Sequence, residues 1–368
     1  MKQLVISKED LIHNINRIKA FAKENSKEYT LIAVVKGNGY GLGLREYAEF
    51  LKNNGIEFFA VATLEEALEL SSYNTSKNIL LLSPINDKDE LEKVVKNEII
   101  VTIDSKGNAQ MLNELAKNGY NIRAHLKVDT GFGRYGFLYD NEKEIVETIK
   151  SLDNNIKLEG IFSHFSISYY KNNKHTKMQY ERFKRILLLL EQNNIDIKLK
   201  HICNSPAFLN YPEMHLNAAR IGSAFVGRVH SENNIGLKKI GNLEVNIAEI
   251  RELPKGFNVS YLNSYKTKCK TKVAIVPIGY IEGFNVSART DMFRLIDKIR
   301  AIVRGIKGLF KKQNLTAVIK GKRYDVIGTI GMYHIVVNIT GSDISINDIV
   351  YLETNPIYVP KSIRREYK

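Results

Sequence analysis

The chain has 368 residues, of which 44% are hydrophobic, and its 54 Lys and Arg against 40 Asp and Glu give a net charge of +14. This length excludes a minimal domain, and the absence of any apolar run near ~18 residues argues against a membrane-spanning helix. Two cysteines, Cys203 and Cys269, are too few for a disulfide framework and too far apart for a zinc site, and the start lacks the apolar core of a signal peptide. We therefore expect a cytoplasmic protein without a metal site.

Strand-like and helix-like segments alternate through the first 235 residues. The amphipathic stretches, which we expect to be helices, are 44–53, 64–71, 107–118, 141–151 and 176–193. The short apolar runs, which we expect to be strands, are 30–36, 57–62, 78–82, 98–103, 122–128, 158–164, 199–203 and 217–221. This alternation is typical of parallel βαβ units, and eight such strands predict an α/β fold with a (β/α)8 TIM barrel over residues 1–234.

The pattern changes after about residue 235. The following β-rich runs are separated by turn signals with little helix between them: 244–251, 270–277, 315–320, 323–330 and 334–339. They predict a mostly β C-terminal domain over residues 235–368, with the boundary in the Gly- and Asn-rich stretch 231–243.

The first predicted barrel strand ends in a lysine and a glycine-rich turn, Leu31-Ile-Ala-Val-Val-Lys36-Gly-Asn-Gly-Tyr40-Gly-Leu-Gly43. A lysine that leaves a buried strand at a turn is placed to form a Schiff base, although an ordinary strand exit with a solvated lysine has the same pattern. The glycine spacing does not fit a dinucleotide-binding loop, because position 42 is Leu.

This run resembles the lysine–tyrosine motif of the alanine racemase family, whose members use pyridoxal 5'-phosphate (PLP). The resemblance implies that Lys36 carries the cofactor and that Tyr40 contacts its phosphate. The chain has Gly37, Gly39 and Leu42 where the family prefers Ala, Ala and His, and we expect the turn to be looser for it.

A second segment, Leu126-Lys-Val-Asp-Thr-Gly-Phe-Gly-Arg134-Tyr-Gly-Phe137, is similar to a family motif almost residue for residue. The resemblance implies that Arg134 contacts the phenolic oxygen of the cofactor and the substrate carboxylate, for which its planar fork is suited. Lys127 matches a lysine that is often carbamylated in the family. The alternative is a surface loop with scattered charge.

Three further motifs follow predicted strands, where the active sites of barrel enzymes lie. By resemblance, His164 in Gly-Ile-Phe-Ser-His-Phe lies beside the cofactor ring, and Ser205 binds the phosphate. Backbone N–H groups around Gly222 and Ser223 bind the phosphate as well. Arg220 is implied to contact the pyridine nitrogen, which weakens the ring as an electron sink and favours racemisation over transamination or decarboxylation.

A racemase needs a second acid–base group on the opposite face of the α-carbon. Asn258-Val-Ser-Tyr261 resembles the family segment whose tyrosine has that role. In the family this tyrosine comes from the other subunit, so the resemblance implies a homodimer with shared active sites.

Two departures concern the substrate pocket. Gly331-Met332-Tyr333 keeps the methionine whose backbone N–H binds the substrate carboxylate, but has Tyr333 in place of an aspartate. Asn355 is expected where alanine racemases have a tyrosine, which would enlarge the pocket and offer an amide to a β-hydroxyl. In this respect the C-terminal part resembles the racemase domains of vancomycin-resistance serine racemases.

A basic insert at about 287–313 stands where the family has a short loop. Residues 289–312 have apolar residues at helical spacing and contain eight Lys and Arg against two Asp. One interpretation is a helix packed on the β domain with a solvated basic face. The other is an interfacial helix in peripheral contact with anionic membranes. We expect no nucleic-acid partner, because no binding motif is present.

Taken together, the motifs predict a PLP-dependent racemase of alanine, serine or both, with Lys36 and Tyr261 as its two bases. A PLP-dependent decarboxylase of the same architecture and a non-catalytic PLP carrier protein are the alternatives. The carrier is disfavoured by the 235–368 half and by Tyr261.

Overall fold

A computed structural model describes residues 1–25, 29–288, 295–310 and 315–368. They form two compact units, one of residues 8–239 and one of residues 1–7 with 240–368. The sequence had placed the first seven residues in the barrel domain. They belong to the second unit because strand β1 (Lys2–Ile6) pairs with two strands from the C-terminal part of the chain. A local pattern cannot reveal partners so distant in sequence.

The first unit is a nearly closed parallel barrel of eight strands. These strands are β2 (Thr30–Val34), β3 (Phe58–Val61), β4 (Asn78–Leu81), β5 (Val101–Ile103), β6 (Ile122–Asp129), β8 (Ile156–Phe162), β9 (Leu199–His201) and β10 (Ala218–Ile221), with the short β7 (Phe137–Leu138) beside β6. They follow the order β4-β3-β2-β10-β9-β8-β6-β5, and a bridge from Leu80 to Ile100 links β4 to the residue before β5. The predicted (β/α)8 barrel is confirmed.

Helices connect these strands on the outside of the barrel. They are α1 (Lys8–Asn25), α3 (Leu44–Asn53), α4 (Leu64–Ser72), α5 (Lys88–Lys96), α6 (Lys106–Lys117), α7 (Glu142–Lys150), α8 (Lys174–Gln192) and α9 (Ser205–Asn210). The short segment α2 (Lys36–Tyr40) has left-handed backbone angles and is a turn. Several begin at a polar side chain that accepts a hydrogen bond from the first turn: Thr63, Asp87, Ser105 and Asn173. The caps explain why the amphipathic stretches start as helices where they do.

The barrel interior is apolar in one part and contains polar and charged side chains in another. One cluster is apolar and includes Ile32, Phe58, Leu80 and Ile100, all buried. Because both faces of these parallel strands are buried, their sequences are uninterrupted runs of apolar residues. Elsewhere the strands bury charged and polar side chains instead, and these belong to the candidate site.

The second unit is mostly β, as predicted. Its further strands are β11 (Asn242–Asn246), β12 (Glu249–Leu253), β13 (Asn258–Val259), β14 (Tyr265–Lys266), β15 (Thr271–Val276), β16 (Thr316–Ile319), β17 (Lys322–Ile327), β18 (Ile335–Asn338), β19 (Ile349–Glu353) and β20 (Arg364–Tyr367). Nine strands form one sheet in the order β12-β15-β18-β17-β16-β19-β11-β1-β20, and β13 and β14 form a hairpin. The predicted single run 244–251 is divided between β11 and β12.

The basic insert contains helix α10 (Leu295–Phe310). The remainder of the predicted insert, residues 289–294 and 311–313, lies outside the described residues. In the part of the chain that the structure describes, no helix has the length and apolarity needed to cross a bilayer.

Candidate active site

Lys36 lies where barrel strand β2 gives way to a left-handed turn. Residues 37–40 all have φ between 53° and 65°. A side chain in this conformation costs roughly 1–2 kcal/mol, a strain that glycine avoids. Gly37 and Gly39 therefore fit the turn that positions Lys36 without strain, and the expectation that they loosen it stays a prediction.

Glu66 of helix α4 fixes the start of this turn. One of its carboxylate oxygens accepts a hydrogen bond from the backbone N–H of Gly37 at 2.5 Å. Desolvation at the barrel mouth lowers the pKa of Lys36, and the positive charge of Arg134 lowers it further. Glu66 opposes this shift and Arg220 adds to it. Lys36 is thus poised to lose a proton more readily than an ordinary lysine.

Tyr40, Ser205 and the turn at Gly222 form a compact polar cradle. The Ser205 hydroxyl oxygen accepts hydrogen bonds from the backbone N–H groups of Gly222 at 3.0 Å and Ala224 at 3.3 Å. A Cβ atom at position 222 would lie 2.4 Å from the Tyr40 hydroxyl. Only glycine lets the Tyr40 phenol approach the backbone of residue 222 this closely. Ser223, the other predicted phosphate-binding residue of this turn, is next in sequence.

This cradle has the chemistry of a phosphate site. The Tyr40 and Ser205 hydroxyl groups can donate to a phosphate. The N–H groups of Gly222 and Ala224, which donate to Ser205 in this structure, are backbone donors of the kind that bind phosphate in proteins. Strand β10 is registered against β2 so that Ile221 pairs with Ala33. The cradle and Lys36 therefore follow the ends of neighbouring strands, and the residues present fit both the phosphate and the aldehyde of PLP.

Arg220 is buried in the barrel and holds a row of polar groups. One guanidinium nitrogen donates to His201 Nδ1 at 2.7 Å. The other donates to the Ser163 carbonyl oxygen at 2.7 Å and to His164 Nδ1 at 3.1 Å. Burial lowers the pKa of Arg220 to about 10, so the group stays positively charged at neutral pH. The guanidinium is fixed in place and offers only donors.

The row of polar groups continues from His201 to His125. His201 Nε2 lies 3.0 Å from His125 Nδ1. Burial lowers the pKa of His125 to about 3 and that of His201 well below its ordinary value, so both rings are neutral. Because Arg220 occupies Nδ1 of His201, the His201 proton lies on Nε2 and is donated to His125 Nδ1. His125 Nε2 is buried and meets no hydrogen-bond partner among the described residues.

His164 is also held neutral. Burial lowers the pKa of His164 well below its ordinary value, and Arg220 adds to the shift through its positive charge. The ring packs edge-on against Phe132, with centroids 5.3 Å apart. The structure therefore places the predicted His164 at the barrel mouth with Nδ1 already engaged by Arg220.

The loop that carries Arg134 is built around the carboxylate of Asp129. One oxygen accepts from the N–H groups of Gly131 and Phe132, both at 2.8 Å. The other accepts from Gly133 at 2.8 Å and from Arg134 at 3.1 Å. Burial raises the pKa of Asp129, but these four backbone donors outweigh it and the pKa is lowered. The backbone of Arg134 is thereby fixed while its side chain reaches the surface.

Lys127 lies buried on β6 close to this loop. Its ammonium group donates to the Leu82 carbonyl oxygen at 3.3 Å and lies 5.1 Å from the centre of the Tyr135 ring. Burial lowers the pKa of Lys127 to about 8, with Arg134 as the next cause. A substantial neutral fraction is therefore present near pH 8, and a neutral amine is the form that reacts with carbon dioxide.

In the second unit, Tyr261 lies beside the loop that carries Met332. The Thr329 hydroxyl donates to the Tyr261 carbonyl oxygen at 3.3 Å. A Cβ atom on Gly331 would lie 3.7 Å from the Tyr261 ring. Tyr261, Met332 and Tyr333 are all exposed. The β unit thus presents Tyr261 and Met332, two of its three predicted site residues, on one surface.

Asn355 has a local structural role. It precedes the short 3-10 turn Pro356–Tyr358, and its side-chain oxygen accepts a hydrogen bond from the N–H of Ile357 at 3.4 Å. The side chain is half-buried. Its expected contact with substrate remains a prediction.

Two family models cover almost the whole chain. The alanine racemase N-terminal domain matches residues 6–229, and the alanine racemase C-terminal domain matches residues 240–359. The chain belongs to the alanine racemase family. The alanine racemase of Methanococcus maripaludis strain S2 is 34% identical over 343 residues, 91% of this chain and 85% of the relative. That of Clostridium perfringens strain SM101 is 35% identical over 335 residues, 88% of this chain and 80% of the relative.

Solved structures agree with this assignment. The alanine racemase of Clostridium difficile 630 matches 100% of this chain and 95% of its own, with a TM-score of 0.84 and 28% sequence identity. A structure of the alanine racemase of Clostridium difficile 630 in complex with cycloserine gives a TM-score of 0.82 at 27% identity, again over 100% and 95% of the two chains. The barrel and β units of this family member are thus matched in known alanine racemases.

Sequence reasoning missed four residues of this alanine racemase-family site, including His201, which accepts a hydrogen bond from Arg220. Glu66 and Asp129 bind backbone N–H groups, and His125 extends the row from Arg220. Asp129 lies inside a motif that was recognised, so a carboxylate followed by three glycines within seven residues was an available signal for a loop centred on it. Glu66 had no such signal, because its partner is 29 residues away.

Proposed function

We propose that this chain is a PLP-dependent racemase that interconverts L- and D-alanine. The observation that carries the proposal is the pairing of Lys36 with the cradle of Tyr40, Ser205 and Gly222 at the ends of neighbouring strands. Held by these residues, PLP would supply an electron sink that makes the α-hydrogen of a bound amino acid acidic. The family membership supports the same activity.

Arg220 favours racemisation over the alternative PLP reactions. It remains protonated at neutral pH and offers donors only, so an acceptor must face it. Its neighbours His164 and His201 are neutral and supply no proton to the site at neutral pH. A decarboxylase of the same architecture is disfavoured on this ground.

Lys36 and Tyr261 are proposed as the two groups that move the α-proton. The lowered pKa of Lys36 makes its amine available as a base on one face. Tyr261 is exposed on the β unit and serves the other face. Arg134 and the backbone N–H of Met332 are proposed to hold the substrate carboxylate, which fixes the α-carbon between the two bases.

A homodimer with shared sites follows from the same proposal. Tyr261 and its neighbours Leu262, Tyr280, Met332 and Tyr333 form an exposed, largely apolar surface of the β unit. A second copy that covers it would bring Tyr261 to the barrel mouth of its partner. Mixing Lys36→Ala with Tyr261→Phe protein tests this, because a mixed dimer has one intact site. Recovery of activity supports shared sites, and no recovery despite subunit exchange refutes them.

The decisive experiment measures racemisation and solvent deuterium incorporation, starting from L-alanine and from D-alanine separately. Tyr261→Phe should suppress proton exchange in one direction more than in the other, whereas Lys36→Ala should abolish both. Tyr351→Phe, an exposed tyrosine of strand β19, is the matched control and should leave the rates unchanged. A PLP carrier would show no turnover and no effect of Tyr261→Phe.

L-serine is the second proposed substrate, and it rests on Asn355. An amide at that position would offer a partner to a β-hydroxyl, whereas the relatives described above are alanine racemases. Initial rates with L-alanine and L-serine, measured side by side, separate the two. If Asn355→Tyr lowers serine turnover relative to alanine, the amide role is supported; an unchanged ratio contradicts it.

Carbamylation of Lys127 is proposed as well. The pKa of Lys127, about 8, leaves the amine reactive near neutral pH, and a carbamate would place a negative charge close to Arg134. Protein equilibrated with 13C-bicarbonate above pH 8 should show a carbamate resonance that is absent in Lys127→Ala. Failure to detect it with a fully active enzyme would exclude the modification.

A further inference from the structure

Helix α10 exposes a continuous apolar stripe. The exposed fractions of its described apolar side chains are Leu295 73%, Ile299 46%, Ile302 62%, Val303 43% and Ile306 51%. Their spacing of three to four residues places all five on one face of the helix. Soluble proteins seldom leave such a face uncovered, and one that they do expose marks an interaction surface. The expectation of an apolar face packed on the β domain does not match these exposures.

Positive charge accompanies the stripe. Lys298 and Arg300 are exposed on the same helix, and the one acidic residue of its sequence, Asp297, lies 3.8 Å from Arg300. The segment 289–312 contains eight Lys and Arg against two Asp, a surplus of six positive charges. The described face of the helix is therefore apolar, Lys298 and Arg300 are exposed beside it, and the sequence around it is cationic.

We propose that α10 binds the surface of an anionic lipid bilayer and lies parallel to it. The stripe would enter the boundary between headgroups and acyl chains, and the lysines and arginines would contact anionic headgroups. At 1.5 Å per residue the helix is about 24 Å long. Because its polar face is strongly charged, it suits the interface and not the bilayer interior.

Charge distinguishes this occupant from a second copy of the chain. Two copies of the segment that met along their stripes would bring two surpluses of positive charge together, which opposes association. An anionic bilayer offers apolar acyl chains directly beneath negative headgroups, so it satisfies both features at once. The proposal does not depend on racemase activity, and its test reads binding alone.

The test is sedimentation of the purified full chain with phosphatidylcholine vesicles that contain or lack phosphatidylglycerol. Binding to the anionic vesicles should exceed binding to neutral ones by about tenfold and fall with added salt. The double variant Ile299→Asp, Ile302→Asp should lose about tenfold or more of the binding to anionic vesicles. Lys298→Glu with Arg300→Glu lowers the surplus of positive charge from six to two and should weaken the preference for phosphatidylglycerol several-fold.

Leu188→Asp is the matched control, because Leu188 is 58% exposed on α8, outside the stripe. It should bind vesicles like the unmodified chain. Retained racemase activity and circular dichroism in every variant show that the fold is intact. The proposal is overturned if the intact chain does not sediment with anionic vesicles, or if the aspartate variant sediments equally well. Self-association without vesicles that the same variant abolishes would assign the stripe to a second copy instead.

Discussion

Asp129→Asn tests whether one carboxylate organises the loop that carries Arg134. In the structure its two oxygens accept four backbone N–H groups at 2.8 to 3.1 Å. The amide of asparagine has one acceptor oxygen, so two of the four donors would face an NH2 group instead. A hydrogen bond to a charged group contributes about 1.5–3 kcal/mol, and water can reach part of this exposed loop. We therefore expect a loss of about 2–3 kcal/mol in the free energy of unfolding.

The same change should weaken substrate binding. When the loop is no longer held at Gly133 and Arg134, the guanidinium loses its fixed position and must be ordered by each substrate molecule. KM for alanine should rise by roughly tenfold, equivalent to about 1.4 kcal/mol, while kcat changes less. Urea unfolding of the PLP-loaded protein and steady-state racemisation measure the two effects. Asp140→Asn alters an exposed carboxylate nearby and should shift stability by less than about 0.5 kcal/mol.

Acid should remove this difference between the native chain and the Asp129→Asn variant. The pKa of Asp129 is lowered in the folded protein, so its contribution to stability is present above the unfolded pKa of about 3.9 and is lost as the pH falls through the folded value. The two proteins should therefore differ most near neutral pH and converge below about pH 4. A stability gap that is absent at pH 7, or that widens on acidification, would refute the role assigned to the carboxylate.

Two further predictions concern glycines at the site. Gly222→Ala places a Cβ 2.4 Å from the Tyr40 hydroxyl and should lower PLP affinity by about tenfold or more. Cofactor absorbance after dialysis measures the loss. Gly107→Ala is the control and should retain PLP, because a Cβ there meets no atom within 4 Å. Gly160→Ala places a Cβ 2.5 Å from the His125 ring and should destabilise the barrel by about 1–3 kcal/mol. Adding His125→Ala should recover part of that loss in urea unfolding, and strict additivity of the two changes would contradict the contact.

The barrel was predictable because its strands are buried on both sides. Each gives a short, unbroken apolar run, and the helices between them have strong amphipathic patterns and polar caps. The β unit was less accessible from sequence. Strands β1 and β20, from opposite ends of the chain, pair with each other. Neither strand has a local sequence pattern that identifies its partner. Long-range pairing of this kind is set by tertiary contacts.

The candidate site likewise contains residues that the sequence predicted and residues that it did not. Residues within motifs, such as Lys36, Arg134 and Arg220, were found because their neighbours in sequence identify them. The groups that hold them were not, since Glu66 and His125 act through contacts between distant strands and helices. The left-handed turn after Lys36 shows the limit clearly, because the same two glycines suggest looseness in the sequence and relieve strain in the structure.

Charge explains why the barrel mouth is ready for anions. Lys36, Lys127, Arg134 and Arg220 each lower the pKa of His164, so their positive charges act on a common space. Glu66 and Asp129 act in the opposite direction on the pKa values of Lys36 and Lys127. Their oxygens also bind backbone N–H groups, of the turn at residue 37 and of the loop 131–134. A phosphate and an amino-acid carboxylate would each be attracted to this surplus of positive charge. The acidic residues therefore position backbone segments of the site, and its four positively charged side chains attract the anionic ligands.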